Sequence, residues 1–127
     1  VGCRKGIGQQ AMEEAFAALL AQSGLCAEAF YKVCSIDLKR DEPGLRAFCA
    51  AHGFAFETFS AAQLAAVAGR FSSSGFVQSV TGVDNVCERS AVLGSGGPLY
   101  CKKQAGGGVT MAAAMAPFAP DWRWQDE

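Results

Sequence analysis

The chain has 127 residues, with 11 Lys+Arg against 12 Asp+Glu, a formal net charge of -1, and 50% apolar residues. That length suits one domain built on one core, and the low charge with high apolar content excludes a disordered chain. The missing basic excess argues against a general nucleic-acid partner. No apolar run approaches the roughly 20 residues of a membrane-spanning helix, so no membrane partner is expected.

The opening residues carry no secretory-leader pattern, and a cytoplasmic location is expected. The sequence starts at Val1 rather than Met, so a shortened opening strand is also expected. Residues 9–23 then place Met12, Ala15, Phe16, Leu19 and Leu20 at helical spacing, with Gly24 as the terminator. Phe30–Ile36 is β-rich and too short for a helix. Asp41-Glu42-Pro43 reads as a helix start with Asp41 as cap, followed by the stripe Leu45, Phe48, Cys49 and His52 and closed by Gly53.

Phe54–Phe59 predicts a strand, and Ser60 caps an alanine-rich helix that stops near Gly69. Residues 70–80 read as a mobile connection. Val83, Val86, Cys87 and Ala91 mark a further helix, with Thr81 or Asp84 as cap and Gly94–Pro98 as its end. Leu99–Lys103 and Val109–Met115 are strands joined by Gly106-Gly107-Gly108. The expected architecture is α/β: a single three-layer α/β/α domain over residues 1–116, with a mixed sheet of about five strands whose last two form a hairpin. Residues 117–127 are expected to be an irregular tail.

The six cysteines lie among core-like neighbours, with no C-x-x-C and a single histidine, His52. Zinc-finger and iron–sulfur spacings are absent, so no metal site is expected, and the cysteines read as small buried hydrophobes. No cofactor signature is present either.

Four segments carry polar chemistry. Gly2-Cys3-Arg4-Lys5-Gly6-Ile7-Gly8 lies between a strand and a helix, where glycine backbone N–H groups and the helix dipole favour an anion. It lacks the spacing of a Walker A loop and equally fits a tight connection. Cys3, beside two cations, is a weak nucleophile candidate, with loop packing as the plainer role. Ser35–Gly44 places Asp37, Lys39, Arg40, Asp41 and Glu42 at the end of a strand, where open α/β sheets bind ligands, or forms a solvated, locally paired loop. Thr81-Gly82-Val83-Asp84-Asn85-Val86-Cys87-Glu88 is a helix start, with Glu88 on its polar side. Lys102–Thr110 is a basic strand end with a glycine turn.

Taken together, G-C-R-K-G, S-I-D-L-K-R-D-E-P-G-L, T-G-V-D-N-V-C-E-R-S-A and K-K-Q-A-G-G-G-V-T-M-A-A-A, in that order, resemble the CobE family and the related C-terminal domain of CbiG. These are proteins of cobalamin biosynthesis. Each motif alone is loose; four in order, from Gly2 to about Ala114, are specific. The resemblance implies a three-layer α/β domain and a precorrin-type tetrapyrrole as ligand, with other cobalamin-pathway enzymes as further partners. Two-domain CbiG proteins open a lactone on a cobalt-precorrin and release acetaldehyde. A stand-alone domain is more similar to CobE, of the oxygen-dependent route, which points to a carrier or accessory factor.

Precorrins are apolar-faced rings with many carboxylates, which call for cations and N–H donors at the rim. Gly2, Cys3, Arg4, Lys5, Gly6, Asp37, Lys39, Thr81, Gly82, Val83, Lys102 and Thr110 are the expected ligand-binding set, with Phe76 and Val77 as a lid. Cys3, Asp37, Glu42 and Glu88 are the weak candidates for catalysis. Six of the 11 basic residues form three adjacent pairs, Arg4-Lys5, Lys39-Arg40 and Lys102-Lys103, each inside one of these motifs. A near-zero total therefore masks a local concentration of cations.

Overall fold

The computed structural model describes residues 1–67 and 85–116. The expectations for residues 68–84, including Arg70, the connection, Phe76, Val77, Thr81, Gly82, Val83 and Asp84, lie outside the described residues, as does the tail 117–127.

The element order is β1 (Gly2–Cys3), α1 (Gln9–Ser23), β2 (Lys32–Ile36), α2 (Pro43–His52), β3 (Ala55–Phe59), α3 (Ala61–Ala65), α4 (Val86–Ser95), β4 (Leu99–Gly106) and β5 (Val109–Ala114). Single helical turns at Ala27–Ala29 and Asp37–Lys39 precede and follow β2. Strands β1, β5 and β4 form one antiparallel ladder, and β2 pairs with β3 in parallel. The two ladders meet at Val1, whose amine donates to the Cys34 carbonyl (2.6 Å) while the Ser35 hydroxyl donates to the Val1 carbonyl (2.7 Å). The strands therefore follow the order β3-β2-β1-β5-β4, a mixed sheet of five.

Helices cover both faces. Met12, Phe16 and Leu19 of α1 and Leu45, Phe48 and Cys49 of α2 pack with Val109, Met111 and Ala113, the alternate residues of β5. Ile36, Leu64 and Val86 form a smaller cluster beneath α3 and α4 on the other side. Phe16 is the hub of the larger core, with the rings of Phe30, Phe48, His52 and Phe54 all edge-on to it at 5.4–5.7 Å. Such edge-to-face pairs add about 0.5–1.5 kcal/mol beyond area burial. His52 belongs to this packing, stacked on Phe54 and hydrogen-bonded to Glu13 at 2.7 Å.

The local signals place the helices well and their caps less well. Gly24 and Gly53 close α1 and α2 in the left-handed conformation, and Ser60 with Gln63 forms a full capping box for α3. The cap of α2 is Glu42, not Asp41, and its side chain makes no cap hydrogen bond. The cap of α4 is Asn85, whose side chain accepts from the Glu88 N–H. Asn85 sits at φ 51°, a conformation that asparagine tolerates better than most residues. All six cysteines are free thiols; Cys34, Cys49, Cys87 and Cys101 are buried, whereas Cys26 is exposed.

Two glycines record close backbone approaches. A methyl group on Gly44, in the first turn of α2, would overlap the Ile7 carbonyl oxygen, and one on Gly94 would overlap the Cys34 thiol. Gly44→Ala is therefore expected to destabilise the fold by about 1–3 kcal/mol through overpacking, although alanine is the better helix former by ~1 kcal/mol. Urea midpoints test this, and an unchanged or raised midpoint would show that α1 and α2 separate freely.

Candidate functional site

Val1 sits against Cys34 and Ser35 of β2, and the turns that follow β1 and β2 meet through Gly6 and Glu42, at one edge. Cys3 faces Val109 in the antiparallel register, which brings the β4–β5 turn to that edge. Val86 packs on Ile36 at the end of β2, so α4 begins there, and Gly44 places the start of α2 against Ile7 and Gly8. The edge thus gathers residues 2–8, 37–44, 85–88 and 106–110. These come from all four sequence segments.

The turn after β1 is held from two sides. The Arg4 N–H donates to the Gly108 carbonyl (2.9 Å), and the Gly6 N–H donates to Glu42 Oε2 (2.9 Å). Glu42 is buried. The Gly6 N–H and the Glu42 carboxylate, which the sequence placed in separate segments, are thus partners of each other. The same contact shows that this glycine turn accepts a carboxylate as its partner, the chemistry that the spacing suggested. Gly6 adopts φ 77° and stays exposed.

Gly2 is a packing position. A Cβ there would come within 2.7 Å of Thr110 Oγ1, and the Thr110 hydroxyl donates to the Gly2 carbonyl at 3.3 Å. Cys3 is half-buried, and burial pushes its thiol up, with Glu42 adding to the rise and Lys39 opposing it. An activated thiolate is the opposite case, so the nucleophile role loses its electrostatic support. Cys49, deep in the core, is pushed up to about 11 by burial.

The cations divide into two groups. Arg40 pairs with Asp37 at 3.0 Å, across an exposed turn, so Asp37 is a local partner for its own neighbour. Among the described residues, Arg4, Lys5, Lys39, Lys102 and Lys103 form no ion pair with a carboxylate. Arg4, Lys5 and Lys102 are exposed, while Lys39 and Lys103 are half-buried. Lys102 and Lys103 occupy an irregularity in the β4–β5 ladder, between the pairs Cys101–Ala113 and Gln104–Met111. Bulges of this kind re-aim side chains and leave a backbone group unpaired.

That backbone group leads to the residue which sequence reasoning misplaced. Glu88 is 1% exposed, not on a polar surface. Its Oε2 accepts the Lys103 N–H at 2.8 Å, and its other oxygen accepts from the Asn85 side chain. A buried carboxyl group thus ties the start of α4 to the ladder irregularity. Asn85 and the nearby Cys87 thiol, which donates to Asn85 Oδ1 at 3.5 Å, were not among the expected site residues. The D-N-V-C-E run held the signal, because Asn three residues before Glu is a standard capping arrangement.

A cavity of about 290 Å³ lies at the opposite edge, lined by Phe16, Phe30, Tyr31, Tyr100 and Met115 among others. It contains none of the basic motifs and sits just below the usual range for ligand pockets, about 300–1,000 Å³. The polar edge therefore carries the candidate site.

An α/β domain with described residues of all four motifs gathered on one sheet edge defines a class, and comparison with known proteins specifies it. The family model described as "Cobalamin synthesis G C-terminus" matches residues 1–114, and the chain belongs to that family, the CbiG C-terminal and CobE family of cobalamin biosynthesis. Two curated relatives are both named cobalt-precorrin-5A hydrolase. That of Priestia megaterium is 29% identical over 93% of this chain and 32% of its own length. That of Salmonella typhimurium is 31% identical over 91% and 33%. The chain thus spans about a third of those relatives.

Among solved structures, CobE, described as a protein from the cobalamin biosynthetic pathway, superposes with a TM-score of 0.81 at 27% identity, over 87% of this chain and 83% of that one. The cobalamin biosynthesis protein chiG of Agrobacterium tumefaciens superposes at 0.69 with 26% identity, over 91% and 94%. No helix among the described residues is long and apolar enough to cross a membrane.

Two outcomes follow from the geometry. Because burial raises the Cys3 thiol, its alkylation by iodoacetamide at neutral pH should be slower than that of an unhindered model thiol and should climb as pH rises toward the alkaline range. Fast labelling of Cys3 at neutral pH, read by mass spectrometry, would contradict this. Glu88→Ala removes the acceptor of the Lys103 N–H and the Asn85 amide, and should lower unfolding free energy by about 2–4 kcal/mol; a change below ~0.5 kcal/mol in urea unfolding would remove its structural role.

Proposed function

We propose that this cobalamin-biosynthesis protein binds a precorrin-type tetrapyrrole intermediate at the polar sheet edge, as a carrier or accessory factor of the oxygen-dependent route. The observation that supports this reading is the gathering of Arg4, Lys5 and Lys39 around a glycine turn that already holds one carboxylate, that of Glu42. A ligand ringed by acetates and propionates offers the same group many times over. Cations at a rim and backbone N–H groups recognise carboxylates by charge-assisted hydrogen bonds. Lys102 and Thr110, with Thr81, Gly82 and Val83 outside the described residues, complete the proposed contact set. Within it Gly2 and Gly6 provide backbone shape.

The reach of the likeness favours a carrier. It covers most of CobE but about a third of the hydrolases. A cytoplasmic setting and contacts with other pathway enzymes belong to the same reading, since labile intermediates are best passed on under protection. The name shared by the two curated relatives favours a second reading, an enzyme that opens a macrocycle lactone as a cobalt-precorrin-5A hydrolase does. In that case Glu42, Glu88, Asp37 and Cys3 are the groups to test for proton transfer or attack.

A titration with purified pathway intermediates separates the readings. Binding should shift the visible spectrum of one intermediate with a one-to-one endpoint. Sustained turnover with acetaldehyde release would replace the carrier by the enzyme, and an unchanged spectrum at high protein concentration would sink both. Arg4→Glu and Lys39→Glu should each weaken binding roughly tenfold, the scale of one charge-assisted contact. Arg70→Glu, outside all four motifs, should change it little.

A further inference from the structure

The β4–β5 ladder is irregular at the two adjacent lysines, and its register fixes where they stand. Cys101 pairs with Ala113 and Gln104 with Met111, so three steps along β4 match two along β5. Lys102 and Lys103 therefore both stand opposite Ala112, two residues against one, which is the form of a bulge. Ala113 and Met111 are buried among α1 and α2, and Cys101 and Gln104 share their face. Gln104 lines a groove there with Ala11, Glu14 and Ala15 of α1. The two lysines take the opposite face, with Ala112 and Thr110, toward α4.

The Cys87 thiol, in the first turn of α4, reports the same placement. Burial raises it, and the Thr110 hydroxyl and the Lys103 ammonium are among the groups that oppose the rise. Both therefore lie close to that turn. In a ladder continued without the bulge, Lys103 would instead face Met111, which is 4% exposed. Its ammonium would then be driven into the core at a large cost.

The bulge leaves the Lys103 N–H without a partner in β5, and Glu88 Oε2 takes it at 2.8 Å. Glu88 is 1% exposed and acts on the backbone, since the Lys103 ammonium forms no ion pair with a carboxylate among the described residues. An apolar residue at 103 in a continuous ladder would need neither the bulge nor a buried acid beneath it. The chain has both, and the outcome is two adjacent ammonium groups on one face, beside the polar edge.

We propose that Lys102 and Lys103 form a paired-lysine clamp for neighbouring carboxylates of the ligand, with Lys103 setting specificity and Glu88 as the positioning residue that holds the pair on one face. The clamp rests on the reading of the polar edge as a polycarboxylate site and adds to it the kind of polycarboxylate preferred. Consecutive residues of a regular strand point to opposite faces, so only the bulge lets both lysines meet one edge of a ligand. Such a pair favours a ring whose acid groups stand side by side over one whose acid groups are isolated.

Two porphyrins serve as probes, read by absorbance titration: uroporphyrin, with two carboxylate arms on each pyrrole ring, and coproporphyrin, with one. Lys103→Ala should weaken uroporphyrin binding roughly tenfold and coproporphyrin binding about twofold. Glu88→Ala should cause the same loss in the unaltered chain and none beyond it in the Lys103→Ala chain, as expected of a residue that acts through another. Glu88→Gln, which keeps an acceptor for the Lys103 N–H, should restore most of the affinity. Equal losses from Glu88→Ala in both backgrounds would make its role purely structural and overturn the proposal. Should Glu88→Ala fail to fold, the Lys103→Ala chain decides alone, and equal losses for the two porphyrins overturn the clamp. Weakening of uroporphyrin by Arg4→Glu but not by Lys103→Ala would also overturn it, while leaving the edge as the ligand site. Binding of neither porphyrin by the unaltered chain would sink the edge and the clamp together.

Discussion

The hydrogen bond from the Gly6 N–H to the buried Glu42 carboxylate anchors everything at the polar edge. It joins the turn after β1 to the first turn of α2, across 36 residues of sequence, and it works only because Gly44 lets the two backbones touch. On the other flank, the Arg4 N–H holds Gly108. The glycine turn is thus clamped between a helix start and a hairpin, and the orientation of Arg4 and Lys5 follows from that clamp. A carboxylate on a backbone donor is a charge-assisted bond, stronger than its neutral counterpart.

A second buried acid performs the corresponding task on the other face. Glu88 takes the Lys103 N–H from a ladder irregularity and the side chain of its own cap, Asn85. Buried carboxyl groups persist where their oxygens are satisfied. The two acids stand at different places: Glu42 holds the turn that carries Arg4 and Lys5, whereas Glu88 holds the backbone of Lys103.

The two ends of the sheet also differ in kind. At the polar edge, loops and helix starts converge, and Arg4, Lys5 and Lys39 have no carboxylate ion-pair partner among the described residues. At the other edge, aromatic and aliphatic side chains surround a gap between strands, with Tyr31, Tyr100 and Met115 exposed near it. The proposed ligand chemistry concerns the first of these.

Much of this was legible in the residues. Helix α1 runs from Gln9 to Ser23 as its spacing required, β2 and β3 fall inside the β-rich runs, and the glycine turn between β4 and β5 lies where three glycines stood. These are properties of neighbours in the chain, and period, caps and turn residues report them directly. The family was legible too, because four short motifs in order carry more information than any one of them.

What the tertiary structure alone decided is which partner each polar group takes. Asp41 looked like the cap of α2 and Thr81 or Asp84 like that of α4, yet Glu42 and Asn85 hold those positions. Glu88 looked like a surface residue and is buried, and the Gly6 N–H and the Glu42 carboxylate, from separate segments, pair with each other. Periodicity assigns a side chain to a face of its own helix, but says nothing of what the sheet and the neighbouring turns bring against that face. Contacts between residues far apart in sequence depend on how the layers stack, and that arrangement exists only once the core has closed.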